Sequence, residues 1–253
     1  MIIQIDKHTA MTTKKHIEVC FTPALLDLYE ISTKNVVLID ILRATSAICT
    51  AFAWGVKEII PVGSVEEARQ CKQNGMVVAG ERDGVVLDFA DFGNSPFNFM
   101  NDKVRNASIA YCTTNGTKAI QKASHAHRLM IGSYLNFTAV KDFLLNDTQD
   151  VLLFCSGWKN RFNLEDTVFA GSLIEQLLLD EHFETICDSA MAAQDLWTMA
   201  KPNLLEYINK CAHRHRLRRL GLDDVLEYCH TFDKTDIIPI LDKDKIISLG
   251  EMH

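Results

Sequence analysis

The chain first shows its architecture in the stretch VVLIDILRATSAICTAFAW, which occupies residues 36–54. Its opening residues, Val36 to Asp40, form a β-branched apolar run that is typical of a buried strand. The residues from Thr45 to Trp54 favour a helix, and the hydroxyl of Thr45 or Ser46 can cap its first turn. A buried strand that leads directly into a helix indicates an α/β fold.

The same alternation of strand and helix continues along the chain. We predict further strands at 58–62, 76–79, 108–112, 128–131 and 151–155, and helices at 65–74, 117–124, 137–146 and 164–179. The last third is helix-rich from 190 to 228 and ends with two short apolar runs, 237–241 and 245–249. This pattern predicts helices packed on a largely parallel or mixed sheet.

Length and composition predict one globular unit. The chain has 253 residues, of which 47% are hydrophobic, and this is enough to bury a sizeable core. We expect an N-terminal extension at residues 1–15 and a single compact domain, with one or two lobes, at 16–253. The eight cysteines include no C-x-x-C pair and lie mostly in apolar segments, as small buried hydrophobes do.

The charge balance narrows the range of partners. Lys and Arg number 26 against 33 Asp and Glu, and the net charge of −7 argues against non-specific binding to nucleic acid or anionic membranes. No apolar run reaches the roughly 18 to 20 residues that span a bilayer, and Met1 to Lys15 lacks the apolar centre of a signal peptide. We therefore expect a cytoplasmic protein, without nucleic-acid or membrane partners, that captures a small anion in a local site.

Charged residues follow two of the predicted strands, at the edge of an α/β sheet where ligands bind. Asp40 can hold a divalent cation, and Arg43 can bind a phosphate through paired N–H groups. An ion pair between them, combined with a helix cap, is the alternative. Glu81 and Arg82 follow the strand at 76–79, where a plain surface turn is the alternative.

Two polar loops add candidate anion ligands. Thr113-Thr114-Asn115-Gly116-Thr117 connects a predicted strand to a helix, so its hydroxyls and backbone N–H groups can wrap an anion. It lacks the first glycine of the Walker pattern, and nucleotide use is not indicated. Asn94 and Ser95 can donate to the same anion, with an ordinary turn as the alternative.

The residues after the strand at 151–155 permit two chemistries. Cys155 and Arg161 have the C-x5-R spacing of cysteine phosphatases, but phenylalanines replace the histidine and the hydroxyl residue expected beside them. Glu165 and Asp166 can instead complete a metal site, and capping of a helix is their alternative role.

A basic run, HRHRLRR at 213–219, raises RNA binding as an alternative function. Acidic residues lie close to the run and no aromatic residues are interleaved with it, so we interpret it as a solvated helical face.

Several separated motifs, taken in order, resemble the ComB-like 2-phosphosulfolactate phosphatase family. They are VLIDILRATS at 37–46, GER at 80–82, GNSP at 93–96, TTNGT at 113–117 and LED at 164–166, and the likeness runs from about Val36 to Pro239. The resemblance implies a three-layer α/β/α fold. It also implies a magnesium-dependent phosphatase that converts 2-phosphosulfolactate to 3-sulfolactate and phosphate, a step of coenzyme M synthesis in methanogens.

Under this hypothesis, Mg²⁺ is held by Asp40 with Glu81 or with the pair Glu165 and Asp166, and Arg43 and Arg82 complete the catalytic set. Phosphate and the acidic end of the substrate are bound by Thr45, Ser46, Asn94, Ser95, Thr113, Thr114, Asn115, Gly116 and Thr117. The nucleophile stays open between water and a carboxylate. A non-catalytic sensor of a small phosphorylated or sulfonated metabolite is the alternative function, and the number of subunits stays open, a homodimer included.

Overall fold

The computed structural model describes residues 14–251, so the predicted N-terminal extension lies outside the described residues as far as residue 13. The strands are β1 Lys15–Cys20, β2 Lys34–Ile39, β3 Glu58–Pro61, β4 Val77–Arg82, β5 Val85–Val86, β6 Ser108–Cys112, β7 Arg128–Gly132, β8 Asp150–Cys155, β9 Phe183–Glu184, β10 Pro239–Asp242 and β11 Lys245–Ser248. The helices are α1 Ala44–Ala53, α2 Val65–Gln73, α3 Gly116–Lys122, α4 Phe137–Asn146, α5 Leu164–Leu177, α6 Asp188–Ala200, α7 Leu204–Ile208, α8 Ala212–Arg219 and α9 Leu226–Cys229. Within residues 14–251, no helix is both long and apolar enough to cross a membrane.

The strands form an open, mixed sheet in the order β5-β4-β6-β3-β11-β10-β7-β2-β8-β1-β9. One block, β4, β6 and β3, is parallel, and so is a second block, β7, β2, β8, β1 and β9. The hairpin β10–β11 runs antiparallel to its neighbour on each side, so the two blocks point in opposite directions along the ladder. The predicted mixed α/β sheet is confirmed, and its arrangement in three layers stays a prediction.

Helix α1 lies in a core that the two blocks share. Every residue from Ala44 to Phe52 is buried, as expected of a helix that contacts protein on all sides. The core around it contains Leu38 of β2 and Phe154 of β8 together with Tyr111 of β6. The loop that leads into α1 therefore lies where strand ends of both blocks can meet.

Some elements differ from the sequence prediction for identifiable reasons. Strand β1 is not predicted because its residues, KHIEVC, mix charged and apolar side chains, yet it pairs with β8 from Ile17 to Cys20. Strand β4 extends beyond the predicted end at residue 79 because its last residues pair with β5. The helix-rich segment breaks into α6 to α9, with Pro202 and Gly221, whose φ is 67°, at two of the breaks.

Candidate active site

The ends of β2, β4 and β6 meet at a cavity of about 300 Å³. Helix α8 and the loop after β8 complete its wall. The full lining consists of Asp40, Leu42, Arg43, Glu81, Asp83, Gly84, Asn94, Thr113, Asn115, Gly116, Trp158, His213, Arg216, Leu217, Arg219 and Leu220.

Asp40 is the residue that joins β2 to α1. Its backbone N–H donates to the Thr45 hydroxyl at 3.1 Å, and its Oδ1 accepts the Ala44 N–H at 3.2 Å. Its Oδ2 accepts no backbone N–H within residues 14–251 and is the oxygen left for the cavity. Burial raises the pKa of Asp40, and the nearby His213 opposes that rise.

Arg43 lies directly before α1, and only 6% of it is exposed. No carboxylate oxygen within residues 14–251 comes within 4.0 Å of its guanidinium, so the ion pair with Asp40 that the sequence left open is not formed. A buried guanidinium with its N–H groups uncommitted is a ready ligand for an oxyanion.

Glu81 joins the loop after β4 to the loop after β6. Its carboxylate accepts the backbone N–H groups of Gly84 and Thr114, both at 2.7 Å, and the Thr114 hydroxyl at 3.0 Å. The alternative of a plain surface turn is wrong for Glu81, which is buried, whereas Asp83 and Gly84 do form the turn between β4 and β5. Arg82 lies outside the cavity lining, and its guanidinium donates to the Thr113 carbonyl at 3.2 Å.

The loop Thr113–Thr117 uses most of its hydroxyls to hold its own shape. The Thr113 hydroxyl oxygen accepts the Thr117 N–H, and the Thr117 hydroxyl donates to the Thr113 carbonyl, each at 3.2 Å. Thr113 and Asn115 line the cavity, whereas Thr114 and Thr117 do not. The loop can therefore offer fewer side-chain donors to an anion than the sequence predicted.

Gly116 brings this loop against the end of β2. A Cβ atom at this position would lie 2.7 Å from Ala44 Cβ and 3.5 Å from Asp40 Oδ2. The close approach of the two loops therefore depends on the missing side chain.

Of the other predicted phosphate ligands, only Asn94 lines the cavity. Thr45 and Ser46 are fully buried and outside the lining, and the Ser46 hydroxyl donates to the Ile41 carbonyl at 2.9 Å. These two residues brace the start of α1. Asn94 lines the cavity, whereas Ser95 precedes the short 3₁₀ helix at 96–99 and lies outside the lining.

Glu165 lies beside a histidine at the cavity. It lies in the first turn of α5, is 1% exposed, and places its Oε1 3.4 Å from Nδ1 of His213. Burial acts to raise the pKa of Glu165, but the contact with His213 outweighs it and the pKa is lowered. His213 itself lines the cavity, so Glu165 acts on the site through the imidazole.

Asp166 holds two loops together. Its Oδ1 accepts the Ile41 N–H at 3.0 Å and its Oδ2 accepts the Gly157 N–H at 3.3 Å, which joins the ends of β2 and β8. Burial, followed by the charges of Glu165 and Asp40, raises the pKa of Asp166 well above its usual range. It is outside the cavity lining.

The interpretation of residues 213–219 as a solvated helical face is wrong for one side of α8. His213 and Leu217 are buried and Arg216 is half-buried, and all three line the cavity. Positions three and four apart share one face of a helix, which is why the basic run presents a cavity side and a solvent side. The apolar Leu217 inside the run was the signal in the sequence that could have indicated this.

The cysteine phosphatase arrangement is absent from the described residues around β8. Cys155 is fully buried, and burial raises the pKa of its thiol well above the usual range, whereas a nucleophilic thiolate requires a lowered pKa. Arg161 is exposed and closes a tight turn with Trp158 instead of forming a phosphate cradle.

The four carboxylates predicted to bind metal do not surround one point. Within residues 14–251, no group of three or more His, Cys, Asp or Glu side chains is arranged to hold a metal ion. Asp40 and Glu81 line the cavity, and Glu165 and Asp166 do not. Magnesium commonly binds one or two protein carboxylates together with water and a substrate phosphate, and the uncommitted Oδ2 of Asp40 fits that mode.

Comparison with known proteins identifies the family of the chain. A family model described as 2-phosphosulpholactate phosphatase matches residues 20–244. The chain belongs to the 2-phosphosulpholactate phosphatase family. This confirms the resemblance carried by the separated motifs, and with it the class of phosphoric monoester hydrolases.

Curated relatives cover nearly the same length. A probable 2-phosphosulfolactate phosphatase of Caldanaerobacter subterraneus is 36% identical over 216 residues, which are 84% of this chain and 89% of the relative. Proteins of the same description from Carboxydothermus hydrogenoformans and Thermotoga maritima are 37% and 34% identical, over 88% and 83% of this chain and 92% and 90% of the relatives. The phosphatase family therefore extends over the fold and the cavity together.

Proposed function

We propose that the chain hydrolyses 2-phosphosulfolactate, or a closely similar phosphorylated hydroxy acid, to the free hydroxy acid and phosphate. The observation that carries the proposal is the pairing, in one cavity, of the uncommitted guanidinium of Arg43 with the uncommitted Oδ2 of Asp40. The names of the relatives supply the substrate. A role in coenzyme M synthesis stays a prediction.

Hydrolysis of a phosphate monoester breaks the bond between phosphorus and the ester oxygen and forms one to the entering oxygen. Arg43 is assigned to bind and orient the phosphoryl oxygens, because paired N–H groups match an oxyanion. Asp40 is assigned to the entering side, where its carboxylate either orients water or attacks phosphorus itself. His213, whose Nδ1 lies 3.4 Å from Glu165, is assigned to protonate the leaving oxygen because it lines the same cavity.

Magnesium belongs to the proposal as the cofactor, and Asp40 would hold it. Glu81 is the second carboxylate of the lining, but its oxygens already accept two backbone N–H groups and a hydroxyl. Magnesium would supply neutralisation of the negative charge that the phosphoryl group carries. Glu165 and Asp166 are left out of this assignment because both lie outside the cavity lining and both oxygens of Asp166 accept backbone N–H groups.

A phosphate-release assay tests the function. Purified chain should release phosphate from 2-phosphosulfolactate in the presence of magnesium, and EDTA should abolish the release. Full turnover after complete metal removal would contradict the magnesium assignment alone.

The same assay tests the alternative function, a non-catalytic sensor. Tight binding of the ester without any phosphate release, across a panel of phosphorylated hydroxy acids and sulfonates, would favour a non-catalytic binding protein. Release of phosphate from the ester excludes that alternative.

A further inference from the structure

One wall of the cavity is formed by α8 and the ring of Trp158. The guanidinium carbon of Arg216 lies 4.3 Å from the centroid of that ring, at the distance of a cation–π contact. His213 contacts the same ring edge-on, with centroids 5.3 Å apart. Trp158 thus fixes the direction of both α8 side chains.

The guanidinium of Arg216 is oriented but not satisfied. Its Nε and Nη2 atoms are buried and have no hydrogen-bond partner in the described part of the chain. No carboxylate oxygen of residues 14–251 lies within 4.0 Å of it. Burial lowers the pKa of Arg216, which reflects the cost of removing this charge from water.

Uncommitted, buried donors on a cation are costly unless an anion reaches them. Another half-buried guanidinium, that of Arg128, has such a partner, since Arg128 lies 3.3 Å from Asp147. Arg216 differs from Arg128 in facing the cavity. Its partner is therefore expected to arrive with the ligand.

The proposed ligands of the phosphoryl group belong to a different element of the lining. Arg43 and Asp40 belong to the loop between β2 and α1, whereas Arg216 belongs to α8. Arg43 and Arg216 are therefore a buried and a half-buried guanidinium on different elements of one small cavity, and they match a ligand with two anionic groups; Arg219, the third arginine of the lining, is exposed.

We propose that Arg216, oriented by its stack on Trp158, is a specificity-determining residue that binds a second anionic group, a sulfonate or a carboxylate, on the molecule that carries the phosphate. This inference rests on the proposed function for the identity of the phosphate-bearing ligand. It assigns to α8 the discrimination between doubly anionic esters and simple phosphate esters.

Steady-state kinetics of Arg216→Met test the assignment. For 2-phosphosulfolactate, KM should rise about 10- to 100-fold, because a charge-assisted hydrogen bond is lost. For p-nitrophenyl phosphate, which carries no second anion, KM and kcat should stay as in the wild type. The proposal would be overturned if KM rose equally for both substrates, or if it changed for neither.

Two further esters separate the sources of the anion. 2-Phospholactate keeps only the carboxylate, and the phosphate ester of 2-hydroxypropane-1-sulfonate keeps only the sulfonate. The ester whose KM rises in Arg216→Met, relative to the wild type, carries the group that Arg216 binds. If neither ester responds to the substitution, the proposal is wrong.

The matched control is Arg218→Met, which removes the same charge from the exposed side of α8, where Arg218 pairs with Asp223 at 3.3 Å. Its kinetics should equal those of the wild type.

Trp158→Leu should also raise KM for the doubly anionic ester, as Arg216→Met does, since it removes the stack that orients the guanidinium. Unfolding temperatures of all variants show whether each is folded under assay conditions.

A binding measurement separates this inference from the proposed function. Calorimetric titration with 3-sulfolactate needs no turnover, and its affinity should fall at least about tenfold in Arg216→Met. Unchanged affinity would overturn the inference even if the enzyme is active. A wild type that binds 3-sulfolactate through Arg216 but releases no phosphate would contradict the proposed function and leave the inference standing.

Discussion

Carboxylates close to the cavity differ in what they contact, and their contacts assign them different roles. Asp40 keeps one oxygen uncommitted, whereas both oxygens of Asp166 accept backbone N–H groups. Glu165 faces an imidazole across 3.4 Å. At the scale of single residues, the site therefore consists of one acidic group available to a ligand and others that hold the surrounding loops.

Replacing Asp166 by alanine tests this division. Asp166→Ala leaves the N–H groups of Ile41 and Gly157 without an acceptor in a buried region, so we expect the free energy of unfolding to fall by about 2–4 kcal/mol. Urea denaturation measures the change. Asp195→Ala, at an exposed position on α6, is the control and should leave stability unchanged.

A metal-ligand role for Asp166 would give the opposite pattern. Stability would then be retained without metal, and the loss would be confined to magnesium-dependent turnover. That result would restore Asp166 to the metal site predicted from the sequence.

Individual site residues could be predicted from the sequence where their position after a strand was enough to place them. Asp40, Arg43 and Gly116 follow strands directly, and strand ends of an α/β sheet are where ligands bind. Arg216 and Trp158 could not be predicted, because their meeting depends on how α8 packs across the loop after β8, which is a contact between distant segments. Arg82 was expected in the catalytic set with Arg43, but it lies outside the cavity lining, since successive strand residues point to opposite faces of the sheet.

At the scale of elements, the hairpin β10–β11 joins the two parallel blocks. Ile240 of β10 pairs with Met130 of β7, and Ile246 of β11 pairs with Ile59 of β3. Lys245 adds an ion pair to Glu58 at 3.0 Å. The hairpin is therefore held to β3 partly by charge.

This contact predicts a dependence of stability on pH. The Ser108 hydroxyl, which donates to Glu58 at 2.6 Å, and then Lys245 hold the pKa of Glu58 below its ordinary value of 4.5. A lowered folded-state pKa stabilises the protein above the unfolded-state pKa, and this stabilisation is lost as pH falls through the folded-state value. Glu58→Gln should therefore cost about 1 kcal/mol of unfolding free energy near neutral pH.

The difference between the wild type and Glu58→Gln should shrink as the pH falls below 4.5, the ordinary pKa of this carboxyl. Denaturant unfolding at a series of pH values measures it. Glu66→Gln, in the exposed first turn of α2, is the control. A difference that is independent of pH would show that charge at Glu58 does not hold the hairpin.

The strand and helix pattern was predictable to the extent that apolar periodicity expresses it. The run at 108–112 and the helix at 137–146 have their predicted bounds, because both are flanked by polar turn residues. β9 was missed because this edge strand has only two residues, and β1 was missed because charged and apolar side chains are mixed along it. The reversal of direction at β10–β11 could not be predicted, because strand pairing is a long-range property.

At the scale of the whole molecule, α1 connects the fold to the chemistry. It is buried between the two blocks, and the loop before it brings Asp40 and Arg43 to the cavity. The opposite block contributes Glu81 and Thr113 from the ends of β4 and β6. The cavity therefore forms only when both blocks are assembled around the same helix.

The most direct test of this account is the turnover of Asp40→Asn on 2-phosphosulfolactate, measured beside its unfolding temperature. Asparagine keeps the oxygen that accepts the Ala44 N–H, so the fold should be retained, while kcat should fall at least about 100-fold because the carboxylate charge is lost. Asp244→Asn, in the exposed turn between β10 and β11, should behave as the wild type. A folded Asp40→Asn enzyme with wild-type turnover would contradict the placement of the active site in this cavity.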